Sequence, residues 1–207
     1  MEPTERNMRA WSERHRADAA EVIPQAVRDR LPPLEGLRVL QLQCGDGAIA
    51  AELAAGGALV TGADASADAL AAARETAPDR PWVHADPAQL PAELLRARFD
   101  LVYVDRGGLA AVRDLDGWAA GVHGALRPLG WLVVRDVHPV AALVDGSLRW
   151  RGDYFAGGVR LGAVVTAVAQ AGLTVRRLEE YPARREGARG QDPRVPGEFL
   201  LRAEKPH

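Results

Sequence analysis

The residues best suited to chemistry stand close together in the chain. Val39-Leu40-Gln41-Leu42 runs into Gln43-Cys44-Gly45-Asp46-Gly47, and about twenty residues on, Val60-Thr61-Gly62-Ala63 ends in Asp64. Glycines between a buried strand and a helix let the backbone approach a ligand closely and leave the first helical amides free to donate. An acid closing the next strand is placed to accept hydrogen bonds from both hydroxyls of a ribose. Taken singly, the glycines read as a tight turn and Asp64 as a helix cap or a solvated acid. Together, at this spacing, they predict a nucleotide-type cofactor site. Gly45-x-Gly47-x-x-Ala50 also satisfies the dinucleotide fingerprint, so an NAD-dependent oxidoreductase stands as one alternative.

The other reactive side chains are dispersed. His15, His84, His123, His138 and His207 lie far apart, and the single cysteine, Cys44, sits inside the glycine loop, so no metal centre is expected. His138 follows an apolar strand at the edge where open α/β sheets bind ligands, which makes it the first candidate for a general base. Asp136, Tyr154 and Asp105 are the reserves. The competing reading of His138-Pro139 is a turn that redirects the chain. Arg176, Arg177, Arg184, Arg185, Arg189 and Arg194 crowd the final third. They read either as a grip on an anionic acceptor or as a solvated surface offset by Glu179, Glu180, Glu186 and Asp192.

These groups need a frame, and the hydropathy pattern supplies one. Residues 5–30 predict one or two amphipathic helices, with Pro24 starting the second. Strand-like runs at 38–42, 58–63, 82–84, 99–104 and 131–134 alternate with helical stretches at 45–55, 66–76 and 115–126. That alternation implies a mainly parallel sheet with helices on both faces. Residues 137–158 have a loop or lid composition, and a helix follows over 159–171. Strand candidates at 173–179 and 198–203 must pair as an antiparallel hairpin, because no crossover helix separates them.

Composition narrows the function classes. A chain of 207 residues with 47% hydrophobic and 26% charged side chains predicts one globular domain rather than a disordered one. Its 26 basic against 28 acidic side chains give a net charge of -2, which offers no field for a nucleic acid or an anionic membrane. A lone cysteine and the polar opening Met1-Glu2-Pro3-Thr4-Glu5-Arg6 predict a cytoplasmic, reducing home, and no apolar tract is long enough to span a membrane.

On these residues the chain resembles the class I S-adenosylmethionine-dependent methyltransferases from about Asn7 to the C-terminus. It is most similar to a bacterial small-molecule-type subgroup whose glycine loop reads H-L-Q-C-H-F-G, here Gln41-Leu42-Gln43-Cys44-Gly45-Asp46-Gly47. Asn7-Met8-Arg9-Ala10-Trp11 resembles that subgroup's N-R-x-x-W, Val60 to Ser66 its V-T-G-V-D-x-S, and Ala171-Gly172-Leu173 through Glu180-Tyr181-Pro182 its A-G-L…H-E-Y-P. The resemblance implies a Rossmann-like α/β fold, with a seven-stranded, mainly parallel sheet ending in a C-terminal antiparallel hairpin. It implies a single domain over 1–207, with an N-terminal helical lid at 1–36, a cofactor-binding core at 37–136 and an acceptor-side region at 137–207.

By the same resemblance, S-adenosylmethionine is the cofactor and S-adenosylhomocysteine the product. Gln41, Gln43, Cys44, Gly45 and Gly47 line the methionine portion, Asp64 takes the ribose, and Ala65, Asp86 and Pro87 frame the adenine. Asp105 and Arg106 edge the reacting sulfonium. Trp11 and His15 fold over the cofactor, or Trp11 simply anchors the first helix in the core. The general family carries an acid at the position of Gln41 and a glycine at that of Gln43. The look-alikes also carry Y-x-W-x-H-x-L-G where this chain has Phe155 to Gly162. The acceptor pocket is therefore smaller, more open, or finished by a second subunit of a homodimer. Methyl transfer to a small molecule is the leading expectation, and a cofactor-binding pseudoenzyme with a regulatory role is the other alternative.

Overall fold

The computed structural model describes residues 23–105, 107–145, 149–183 and 194–207. Trp11, His15, Arg106, Arg184, Arg185 and Arg189 lie outside the described residues. Seven strands form one sheet in the order β3-β2-β1-β4-β5-β7-β6. These are β1 (Arg38–Leu42), β2 (Leu59–Asp64), β3 (Trp82–His84), β4 (Phe99–Val104), β5 (Leu126–Val137), β6 (Thr174–Pro182) and β7 (Pro196–Glu204). The first five pair in parallel, and β7 runs antiparallel between β5 and β6. A dinucleotide-binding sheet would continue with a second parallel unit. The reversed β7 inserted beside β5 sets the NAD alternative aside.

The helices are α1 (Gln25–Arg28), α2 (Ala48–Ala55), α3 (Ala67–Thr76), α4 (Leu115–Ala125) and α5 (Leu161–Gln170). Pro24 stands at the N-cap of α1, as its fixed φ suits. Ser66 caps α3 by accepting from the Ala69 amide at 3.2 Å, and Asp114 caps α4 by accepting from the Gly117 amide at 2.9 Å. The helix expected from Gly45 starts instead at Ala48, because Gly45 (φ 56°) and Gly47 (φ 81°) are both left-handed. β5 is longer than the expected 131–134, since the chain passes from α4 straight into extended backbone at Leu126.

Alternation along the central strands divides the core in two. Leu40, Leu42, Val102, Val104, Leu132 and Val134 face α4 and α5, where they meet Trp118, Val122, Val164 and Val168. Val39, Val60, Leu101, Tyr103, Val133 and Leu200 face the other way, toward Ile23, Val27 and Leu53. Both faces of β1 and β4 are buried, so these strands are fixed in depth. The loops at their carboxyl ends inherit that rigidity.

Candidate cofactor site

Asp64 ends β2 half-buried between two loops. Its Oδ2 accepts from the Gly45 amide at 2.9 Å and its Oδ1 from the Ser66 amide at 2.8 Å. One carboxylate thus joins the loop after β1 to the start of α3, while each oxygen keeps a lone pair for another donor. Beside it, the Ala65 carbonyl lies 2.9 Å from His84 Nε2, and Asp86 Oδ1 accepts from the Ala88 amide at 2.8 Å. Asp86 is exposed and Pro87 buried. The fold therefore brings Gly45, Asp64, Ala65, Asp86 and Pro87 to neighbouring strand ends.

Gln43 occupies the left-handed region (φ 54°), a conformation that glycine adopts without strain and glutamine does not. Its Nε2–H donates to the Gly108 carbonyl, tying the loop after β1 to the turn after β4. Gln41 is 1% exposed, and the Oε1 atoms of Gln41 and Gln43 are both buried without a hydrogen-bond donor. An unpaired buried acceptor costs about 1–3 kcal/mol, so each oxygen favours a ligand that brings N–H groups. The α-ammonium of an amino-acid moiety does so. These two open acceptors and the Asp64 carboxylate thus fit a nucleoside joined to a methionine chain.

Gly47 also meets a packing demand that its motif does not foretell. A Cβ there would lie 2.7 Å from the Trp82 ring, and one on Gly62 would lie 2.2 Å from it. The indole fills the space above both glycines and donates from Nε1 to the Ala77 carbonyl at 3.0 Å. This packing was missed in the sequence, although a glycine interrupting the apolar run of β2 signals a close approach of this kind. Cys44 is buried, and burial pushes its thiol far above the ordinary range, so it packs rather than reacts.

At the end of β4 lies a charged network that sequence reasoning also missed. The Tyr103 hydroxyl donates to Asp105 Oδ2 at 2.6 Å, and Arg135, 2% exposed, reaches Asp105 Oδ1 at 3.4 Å and Glu198 at 3.0 Å. An arginine inside the apolar run of β5 was the available signal, because a buried guanidinium requires carboxylate partners.

All four candidate bases are engaged, Asp105 in the network just described. Asp136 Oδ1 accepts from the amides of Gly107 (2.5 Å) and Val137 (2.6 Å), and Oδ2 from that of Leu109 (2.8 Å). Burial pushes its pKa up to about 6 against the pull of those amides. His138 Nδ1 accepts from the Val140 amide at 3.2 Å, so Nε2 carries the hydrogen facing Glu180 Oε1 at 2.9 Å. Burial lowers the His138 pKa and Glu180 opposes the shift. The Tyr154 hydroxyl accepts from the Leu161 amide at 3.2 Å, at the start of α5. Asp136 thus anchors the turn after β4, and in this arrangement the His138 lone pair is already in use.

Comparison with known proteins agrees with this geometry. A family described as "Methyltransferase domain" matches residues 39–130. An uncharacterized methyltransferase of Synechocystis sp. is 31% identical over 159 residues, covering 70% of this chain and 71% of its own. An uncharacterized methyltransferase of Mycobacterium tuberculosis is 35% identical over 117 residues, covering 56% of this chain and 58% of its own. The crystal structure of an S-adenosylmethionine-dependent methyltransferase from Mesorhizobium loti superposes with a TM-score of 0.69 at 25% identity, covering 87% of this chain and 96% of that one.

Proposed function

The chain belongs to the class I S-adenosylmethionine-dependent methyltransferases, and on that premise we propose that its methyl acceptor is a small molecule received at the carboxyl edge of the sheet. When bound, S-adenosylmethionine supplies a methyl group on a sulfonium, which leaves as S-adenosylhomocysteine. In this reading Asp64 accepts from the ribose hydroxyls, Asp86 from the adenine amino group, and the Gln41 and Gln43 carbonyls from the α-ammonium. Asp136 holds the turn over 107–109 against β5. Asp105, fixed by Tyr103 and Arg135, stands at the end of β4 where the acceptor arrives.

The observation that carries the cofactor arrangement is the Asp64 carboxylate, clamped by the Gly45 and Ser66 amides beside two orphaned glutamine oxygens. Support for a small acceptor comes from the near-neutral charge and from the segment between β5 and α5, where Trp150 (61%) and Phe155 (76%) are exposed apolar surfaces. Because the His138 lone pair is engaged, the reading favours an acceptor already nucleophilic at neutral pH, an amine or a thiolate. Such an acceptor would need no base to take the methyl group that the bound cofactor would supply, and any proton would pass to solvent. Among the described residues no helix is long and apolar enough to cross a membrane. We take the lone buried cysteine as support for a cytoplasmic location.

The test is methyl transfer from methyl-labelled S-adenosylmethionine, offered separately to the small-molecule and macromolecular fractions of a cell extract. Label entering only small molecules is expected. Label entering protein or RNA would overturn the acceptor assignment. Firm cofactor binding without transfer to either fraction would favour the regulatory reading that Gln41 and Gln43 motivate.

A further inference from the structure

Away from the cofactor edge, an open cleft of about 290 Å³ is lined by Asp29, Arg30, Arg177 and Arg202. Arg177 and Arg202 are direct cross-strand partners on β6 and β7. Like charges placed opposite one another in an antiparallel pair destabilise it unless an anion lies between them. Arg30, just beyond α1, brings a third guanidinium and is held by Glu179 at 3.1 Å, the same carboxylate that receives Arg177 at 2.6 Å. Glu179 is thus shared by two arginines and has nothing to offer the third.

That third group is Arg202. Its guanidinium stacks 3.7 Å from the centre of the Trp131 ring, which fixes its plane in advance. Among the described residues it has no hydrogen-bond acceptor, and its Nε is enclosed without one. Burial and the neighbouring Arg177 pull its pKa down, with Glu204 acting weakly the other way. The cleft therefore holds three cations against Glu179 and the exposed Asp29, and among the described residues the stacked, half-buried Arg202 guanidinium has no hydrogen-bonded counter-charge.

We propose that this cleft is a second ligand site, specific for a small oxyanion such as the phosphoryl or carboxylate group of a metabolite, which bridges Arg202 and Arg177. Planar guanidinium forks match the oxygens of such groups, and a stacked one binds without first losing rotamer freedom. The site is separate from the cofactor. Arg202 lies on β7, four strands from Asp64 on β2, or roughly 19 Å at the usual strand spacing. The assignment does not depend on the acceptor proposed above.

The test uses the whole chain, with inorganic phosphate as probe and ionic strength held constant with chloride. Phosphate is expected to bind saturably by calorimetry and to raise the melting temperature. Its affinity is expected to fall at least tenfold in Arg202→Gln and in Arg177→Gln and to stay unchanged in Arg74→Gln on α3, with S-adenosylhomocysteine affinity equal in all. Arg177 is exposed, so Arg177→Gln carries the test if Arg202→Gln fails to fold. Parallel titrations with acetate show whether the site takes phosphoryl or carboxylate oxygens. If neither anion binds saturably, or Arg177→Gln binds phosphate as well as the unaltered protein, the cleft is not an oxyanion site.

Discussion

Gln43 is where a single residue departs most from what its backbone position asks for. It accepts left-handed strain and uses its side chain to reach Gly108, leaving Oε1 buried and unpaired. If that oxygen takes the α-ammonium, Gln43→Ala loses a hydrogen bond to a charged group, which contributes about 1.5–3 kcal/mol. Its affinity for S-adenosylhomocysteine should fall about tenfold or more, while that for methylthioadenosine, which lacks the amino-acid chain, should change little. Equal losses for both ligands, measured by calorimetry, would contradict the contact. His138 calls for a different expectation. With Nδ1 bonded to Val140 and Nε2–H facing Glu180, His138→Ala should cost about 1–3 kcal/mol of stability by stranding the Val140 amide. Transfer to an amine or thiolate should slow by less than about tenfold, because no proton is removed in the transition state. A far larger fall in single-turnover rate, with the fold intact, would restore His138 as the base. The His138 pKa is lowered, so its contribution to stability should be lost as pH falls below the ordinary histidine range.

Between elements, two contacts set the geometry of the edge. Asp136 ties β5 to the turn after β4 with two amide hydrogen bonds, from Gly107 and Leu109, and accepts a third from its neighbour Val137. Asp136→Asn turns one acceptor into a donor facing an amide and should cost about 1–3 kcal/mol in urea unfolding at neutral pH. With a folded pKa of about 6, above the usual carboxylate value, the folded protein binds this proton more tightly than the unfolded chain does. Its contribution is present below about pH 4 and lost as pH rises through 6. Stability plotted against pH should therefore slope more steeply downward across that window in the unaltered protein than in Asp136→Asn, and parallel curves would contradict the shift. The second contact is Trp82 over Gly62. A methyl at Gly62 would lie 2.2 Å from the ring, so Gly62→Ala should cost about 1–3 kcal/mol. The double variant with Trp82→Ala should cost clearly less than the sum of the two single changes. Additive costs would show that the ring is not what Gly62 accommodates.

Over the whole molecule, the parallel half of the sheet was legible from the alternation of apolar runs and capped helices, because β1 and β4 are buried on both faces and leave continuous hydrophobic stretches. The antiparallel ending was legible from the missing crossover between the last two strands. Less visible was the position of β7 between β5 and β6, since hairpin logic pairs two strands without saying which joins the sheet. Asp64 could be found because a single acid at that spacing closes β2 beside the glycine loop. The Tyr103–Asp105–Arg135–Glu198 network and the Trp82 packing were signalled only at one end, by Arg135 and by Gly62, since their partners lie far apart in sequence and meet through the sheet. If the clamped Asp64 and the loop before it hold S-adenosylmethionine, calorimetric titration with S-adenosylhomocysteine will register it. Saturable one-to-one binding, no binding of NAD, and at least a tenfold loss in Asp64→Ala with an unchanged unfolding transition are expected, the loss being that of two ribose hydrogen bonds to a carboxylate. Tight binding of NAD with none of S-adenosylhomocysteine, or full affinity in Asp64→Ala, would contradict it.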